Sequence, residues 1–160
     1  MKKYILFFLF LSVGHGQQIV TQPITDDEAL AQVIAASTQE LLLVTDVFRN
    51  EAVSDAVKDA LTKRGVAVYV LAPRDLVTDL SSYFGTLARA GAVIHTQEAT
   101  GAFLVVDRKY VVQGSMLGSL PETQAATPTM LIASTEYADQ LAGLFIDAFE
   151  GGEAWTYEPQ

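Results

Sequence analysis

Apolar positions along the chain switch between two spacings, and the switches mark out its elements. Ala29, Leu30, Val33 and Ile34 recur at helical spacing behind Thr25-Asp26-Asp27-Glu28, which has the Ser/Thr-x-x-Glu order of a capping box. They predict a helix over 26–36. Residues 41–48, Leu-Leu-Leu-Val-Thr-Asp-Val-Phe, form a short apolar run without helical period and predict a buried strand. Val53, Ala56, Val57, Ala60 and Leu61 return to helical spacing. That helix ends at Lys63-Arg64-Gly65, two cations at the negative helix end and then a glycine suited to the left-handed stop. Residues 66–72 are β-branched and apolar, a second strand stopped by Pro73. Leu76, Leu80, Tyr83, Phe84 and Leu87 predict a third helix, closed by Arg89-Ala90-Gly91, and 92–95 a third, short strand.

The second half changes character. Residues 103–106 and 110–113 flank Asp107-Arg108-Lys109, the pattern of a hairpin. A loop rich in Gly, Ser, Pro and Thr spans 114–128, and 129–133 is the last predicted strand. Ser134 is placed to cap a final helix with an apolar face of Tyr137, Leu141, Leu144, Phe145 and Phe149, stopped at Gly151-Gly152. Residues 17–24 read as a polar lead-in and 153–160 as a tail. Strands that alternate with helices should be parallel with right-handed crossovers, while the hairpin adds antiparallel strands. The expectation is one α/β domain, a mixed β-sheet sandwiched by helices, without internal repeats.

The N-terminus does not fit this scheme. Lys2 and Lys3 precede an apolar run from Tyr4 to Leu11, and Gly14 and Gly16 stand at the −3 and −1 positions of a cut before Gln17. This is the three-part layout of a secretory signal peptide. A membrane span needs about 20 apolar residues, roughly twice this run. Residues 1–16 are therefore expected to be an export signal and 17–160 the mature domain, periplasmic or secreted, with no stable membrane span after cleavage.

Composition narrows the chemistry. Half the residues are hydrophobic, which is incompatible with general disorder. There is no cysteine, so disulfides, thiolate catalysis and Cys-ligated metals are excluded. The net charge of −9 argues against nucleic acid and anionic membrane surfaces as partners. Cleavage would remove two lysines and no acid, shifting the charge to −11 and leaving His95 as the sole histidine. No Gly-rich phosphate loop follows any predicted strand, and no Gly-x-Ser-x-Gly elbow occurs. His95 closes a short strand, at the sheet end where ligands gather in open α/β folds. Asp46 interrupts an apolar strand near its end, either as a pocket carboxylate or as a residue bonding nearby backbone amides.

The segment from Thr100 to Asp107, followed by Gly114-Ser115-Met116-Leu117, resembles the motif of the phospholipase D superfamily: His-x-Lys-x-x-x-x-Asp, an apolar strand, a hairpin and Gly-Ser-x-Asn. Upstream, Lys63-Arg64-Gly65-Val66-Ala67-Val68-Tyr69-Val70-Leu71 and Leu87-Ala88-Arg89-Ala90-Gly91-Ala92-Val93-Ile94 are similar to the family's strand-entry stretches, so the resemblance runs over about 25–149. It implies a phospholipase D-like single domain with one motif, half an active site, which such members complete by pairing as homodimers. It implies no cofactor and no metal. In the family one motif His attacks phosphorus, the other protonates the leaving oxygen, and Lys and Asn hold the phosphoryl oxygens.

Here Asp107, Gly114 and Ser115 match the motif, but Thr100 stands at the His position, Ala102 at the Lys position and Leu117 at the Asn position. His95 lies five residues too early. Thr100 has no adjacent base. Ala102 and Leu117 offer nothing to a developing phosphorane, where losing even one donor typically costs roughly 10²–10³ in rate. The leading expectation is an exported, catalytically inactive binding or structural pseudoenzyme, with Ala102 and Leu117 suited to a subunit contact. The first alternative is a phosphodiesterase or phospholipase D-type hydrolase using His95, Asp107, Ser115 and Asp46. The second is an unrelated α/β solute- or partner-binding module, whose residues 100–107 and 114–117 would lie away from any cleft.

Overall fold

The computed structural model describes residues 19–98, 101–118 and 128–159. The expected export signal lies outside them. In chain order the elements are β1 (Val20–Ile24), α1 (Asp27–Ala35), β2 (Glu40–Val44), α2 (Glu51–Arg64), β3 (Ala67–Pro73), α3 (Phe84–Ala90), β4 (Val93–Gln97), β5 (Phe103–Val106), β6 (Tyr110–Gln113), β7 (Thr129–Ala133), α4 (Thr135–Glu150) and β8 (Glu153–Trp155), with one 3₁₀ turn at Ser115–Leu117. The strands form one eight-stranded sheet in the order β1-β7-β6-β5-β2-β3-β4-β8. β2, β3 and β4 are parallel, and every other pairing is antiparallel. The predicted mixed sheet is thus the observed one.

Alternation along the strands divides the core into two layers. Leu41 and Leu43 of β2, Val68, Val70 and Ala72 of β3, and Leu104 and Val106 of β5 pack with α1, α2 and α3. Leu42, Val44, Leu71 and Val105 point the other way and pack with Ala138, Ala142 and Phe145 of α4. Both sheet faces are covered, so the central strands read as continuous apolar runs.

The expected stop of α2 at Gly65 and cap of α4 at Ser134 are observed, whereas the N-cap of α1 is Asp26 and not Thr25 of the expected capping box, because the Asp26 carboxylate takes a first-turn N–H. Asp26 caps α1 by accepting the Ala29 N–H at 2.8 Å, Asn50 caps α2 through Val53, and Ser134 caps α4 through Tyr137. Gly65 ends α2 in the left-handed region at φ +69°.

Several expectations differ from the structure. The strand expected over 41–48 stops at Val44, because the chain leaves the sheet where the Thr45 hydroxyl donates to the Val47 carbonyl. The polar lead-in contains β1, which pairs with β7. The tail contains β8, which pairs with β4. The third helix is confined to Phe84–Ala90, because Asp79 accepts the Ser81 N–H and hydroxyl and folds the preceding segment into turns. On α4 the buried stripe is Ala138, Ala142 and Phe145, whereas Leu144 is 64% exposed. Small alanines let the helix lie close to the sheet, and the bulkier Leu144 falls on the solvent side.

Candidate functional site

The parallel strands β2, β3 and β4 set the polarity of the sheet, and a cleft of about 430 Å³ opens beyond the carboxyl end of β2. Its floor is Thr45, Asp46 and Val47, its walls Gly101 and Ala102 before β5, and Gln113 at the end of β6 with Gly114, Ser115 and Gly118 after it. The antiparallel pairing of β5 with β2 brings these segments together, since the start of β5 lies beside the end of β2. Two segments of the degenerate motif therefore line one cleft, which overturns the reading of an unrelated module with those segments away from any cleft.

The turn between β6 and β7 is built around glycine. Gly114 has φ +143°, and a Cβ there would lie 2.5 Å from the Thr129 Cα. Its N–H donates to the Ala102 carbonyl at 3.3 Å, tying both cleft walls together. Gly118 approaches the strand end even more closely and accepts the Arg49 N–H at 2.7 Å through its carbonyl. Asn50 is 2% exposed and donates from Nδ2 to the Met116 carbonyl and to Asp27, both at 2.9 Å, fixing the turn to the helical layer.

The motif aspartate has a different place. Asp107 follows β5 at the far end of the strand, roughly 13 Å from the cleft for four residue steps. Its carboxylate accepts the backbone N–H of Thr38 at 2.9 Å, Gln39 at 2.8 Å and Glu40 at 3.0 Å, and the Thr38 hydroxyl at 3.0 Å. Partial burial pushes the Asp107 pKa up, but the backbone donors of Gln39, Glu40 and Thr38 with the Thr38 hydroxyl outweigh it and hold the carboxyl below the usual range. Asp107 thus anchors the start of β2 to the hairpin and is remote from any chemistry in the cleft.

The other predicted residues separate. Asp46 lies in the cleft, where Oδ2 accepts the Gly101 N–H at 3.4 Å and the buried Oδ1 accepts no hydrogen bond from a described residue. Ala102 lines the cleft and packs partly on the helical-layer core. Ser115 lines it at the start of the 3₁₀ turn. Leu117 is fully buried in the core of its own chain, so it faces neither the cleft nor a subunit contact. Thr100 lies outside the described residues.

His95 is the middle residue of β4 and does not close it as expected, since Thr96 and Gln97 continue the pairing with β3, and its ring stacks on Phe149, centroids 3.8 Å apart. Its Nδ1 is 2.6 Å from the Phe149 carbonyl, an acceptor only, so Nδ1 carries the proton and donates it there. The fold therefore does not assemble His95, Asp107, Ser115 and Asp46 into one constellation. Only Asp46 and Ser115 share the cleft.

Sequence reading missed Thr45, Gln113 and Gly118 as lining residues. Gly118, four residues after Gly114 in a loop that must turn back to the strand end, was the available signal. A larger hollow of about 960 Å³ lies between residues 77–89 and the tail, where Tyr157 packs on Gly85 and under Arg89. It contains no motif residue.

No protein-family model matches the chain, and no curated protein matches it by sequence. Solved structures match by fold. Nuc from Salmonella typhimurium, a phospholipase D family member, superposes with a TM-score of 0.71 at 17% identity, covering 88% of this chain and 97% of that one. NucT from Helicobacter pylori gives 0.68 at 14% identity over 80% of this chain and 89% of that one. TrmBL2, an archaeal chromatin protein described as showing a novel mode of DNA binding, gives 0.63 at 18% identity over 87% of this chain and 54% of that one. The architecture is the phospholipase D-like fold.

Proposed function

We propose that this phospholipase D-like fold serves as an exported binding domain without phosphodiesterase activity, and that two copies pair as a homodimer. The observation that carries the reading is the division of labour within the motif. Gly114 and Asp107 match it, and each has a structural duty, a tight turn and a strand anchor. The positions that would supply chemistry hold Thr100, Ala102 and Leu117, and Leu117 is in the core. Among the described residues the cleft offers neither an imidazole nor a cation.

The likeness to a DNA-binding chromatin protein does not extend to electrostatics. A chain with a net charge of −9 repels a phosphate backbone. Among the described residues no helix is long and apolar enough to cross a membrane.

Turnover of a chromogenic phosphodiester tests the reading. Wild type is expected to show no hydrolysis above buffer. Hydrolysis that His95→Ala abolishes would establish the alternative enzyme instead. Thr100→His/Ala102→Lys supplies the motif's nucleophile and clamp and leaves the fully buried Leu117 in place. Adding Leu117→Asn places an amide in an apolar site at a cost of about 1–3 kcal/mol, so the double variant is the cleaner measurement. Export is checked separately by intact mass: the exported product should begin at Gln17, and a full-length product would contradict cleavage there.

A further inference from the structure

We propose that the cleft beyond β2 holds its ligand by a positively charged nitrogen, an ammonium or guanidinium group, with Asp46 as the counter-ion. The proposal rests on the reading of this cleft as a binding site and names the chemistry of what it binds.

Among the described residues, Asp46 is the only ionisable side chain on the lining. Its Oδ1 is buried and accepts no hydrogen bond from a described residue, and the one bond to Oδ2 is long, at 3.4 Å. A carboxylate oxygen desolvated without a donor is costly. A cation in the cleft offsets that cost through charge, with no need to reach the buried Oδ1 itself.

Charge sets the sign of the ligand. An anion in this cleft would face Asp46 with no cation among the described lining residues to offset it. In the low effective dielectric of a cleft, a carboxylate attracts a cation a few ångströms away and repels an anion as strongly. The net charge of −9 adds to the same preference at longer range. Replacement of a lysine position by Ala102 thus inverts the site instead of merely silencing it. A metal ion fits less well. Hard divalent cations take about 6–8 oxygen ligands, and no group of three or more His, Asp or Glu side chains comes together among the described residues. The volume of about 430 Å³ suits an organic group or a side chain presented by a partner.

The test is a titration of the purified protein followed by backbone amide NMR shifts, with methylguanidinium, butylammonium, inorganic phosphate and dimethyl phosphate as probes. Saturable shifts of Gly101, Ala102 and Gly114 are expected with the two cations and none with the two anions. Asp46→Asn should weaken cation binding by at least about tenfold, equivalent to about 1.4 kcal/mol. Ala102→Lys should abolish it by supplying an internal ammonium, and decides the matter if Asp46→Asn does not fold. Absence of saturable cation shifts, cation binding that survives both substitutions, or preferential phosphate binding overturns the proposal. Its failure is distinguishable from failure of the functional reading. Lack of cation binding with no turnover defeats only the cation site, whereas phosphodiester turnover defeats only the inactive reading.

Discussion

At the scale of single residues, Asp107 shows how one carboxylate can serve the fold without facing the cleft. Four donors converge on its carboxylate from residues that open β2, so the hairpin turn and the central strand are fastened by one side chain. Neighbouring Arg108 adds an ion pair with Glu40 at 2.6 Å. Asp107→Asn removes the charge and turns an NH₂ toward groups that are themselves donors. A loss of about 1.5–3 kcal/mol in urea unfolding at pH 7 is expected, the range for hydrogen bonds to charged groups. The pH dependence follows from the direction of the shift. A carboxyl held below its ordinary value stabilises the fold fully above that value, about 3.9 when unfolded, and loses the contribution as pH falls through the folded-state value. The gap between wild type and Asp107→Asn should therefore close on acidification. A gap that stays constant from pH 7 to the acid limit would show that the carboxylate charge is irrelevant. Asp79 titrates in the same sense, held at about 2 chiefly by its hydrogen bond from Arg49 and then by the Ser81 N–H and hydroxyl.

At the scale of elements, what was legible depended on whether the information was local. The Ser134 cap, the left-handed stop at Gly65 and the apolar run of β3 are written in consecutive residues, and these features formed close to their expected limits, whereas β2 stops at Val44, four residues short of the apolar run's end. Edge strands are not written that way. β1 contains Thr21, Gln22 and Pro23, and takes its extended form from pairing with β7, more than a hundred residues later. Pro23 is tolerable because the outer edge of β1 needs no donor. β8 is three residues long and is defined by its pairing with β4 and by Trp155 packing on the core. The segment before α3 misled for the converse reason: Leu76 and Leu80 have helical spacing, but the hydrogen bonds of Asp79 are locally stronger than the periodicity. The site shows the same split. The motif segments and Asp46 could be found by spacing, whereas Gln113 and Thr45 join the cleft only through the β2–β5 and β5–β6 pairings.

At the scale of the whole molecule, the question is whether so acidic a chain can pair with itself. Each copy carries −9, or −11 after removal of the export signal, so approach of two copies is opposed at long range. This repulsion is screened over about 10 Å at 0.1 M salt and about 3 Å at 1 M, whereas burial of apolar surface is not weakened by salt. The proposed homodimer should therefore tighten as ionic strength rises, the opposite of a complex held by complementary charge. If a cationic ligand occupies the cleft, it neutralises Asp46 and should tighten the dimer further at low salt. Sedimentation velocity at micromolar protein, in about 20 mM and about 500 mM sodium chloride with and without methylguanidinium, reads both effects. A sedimenting species that grows with salt supports the pairing. A strict monomer at both salt concentrations removes it, and a dimer that falls apart at high salt replaces the apolar contact with an electrostatic one.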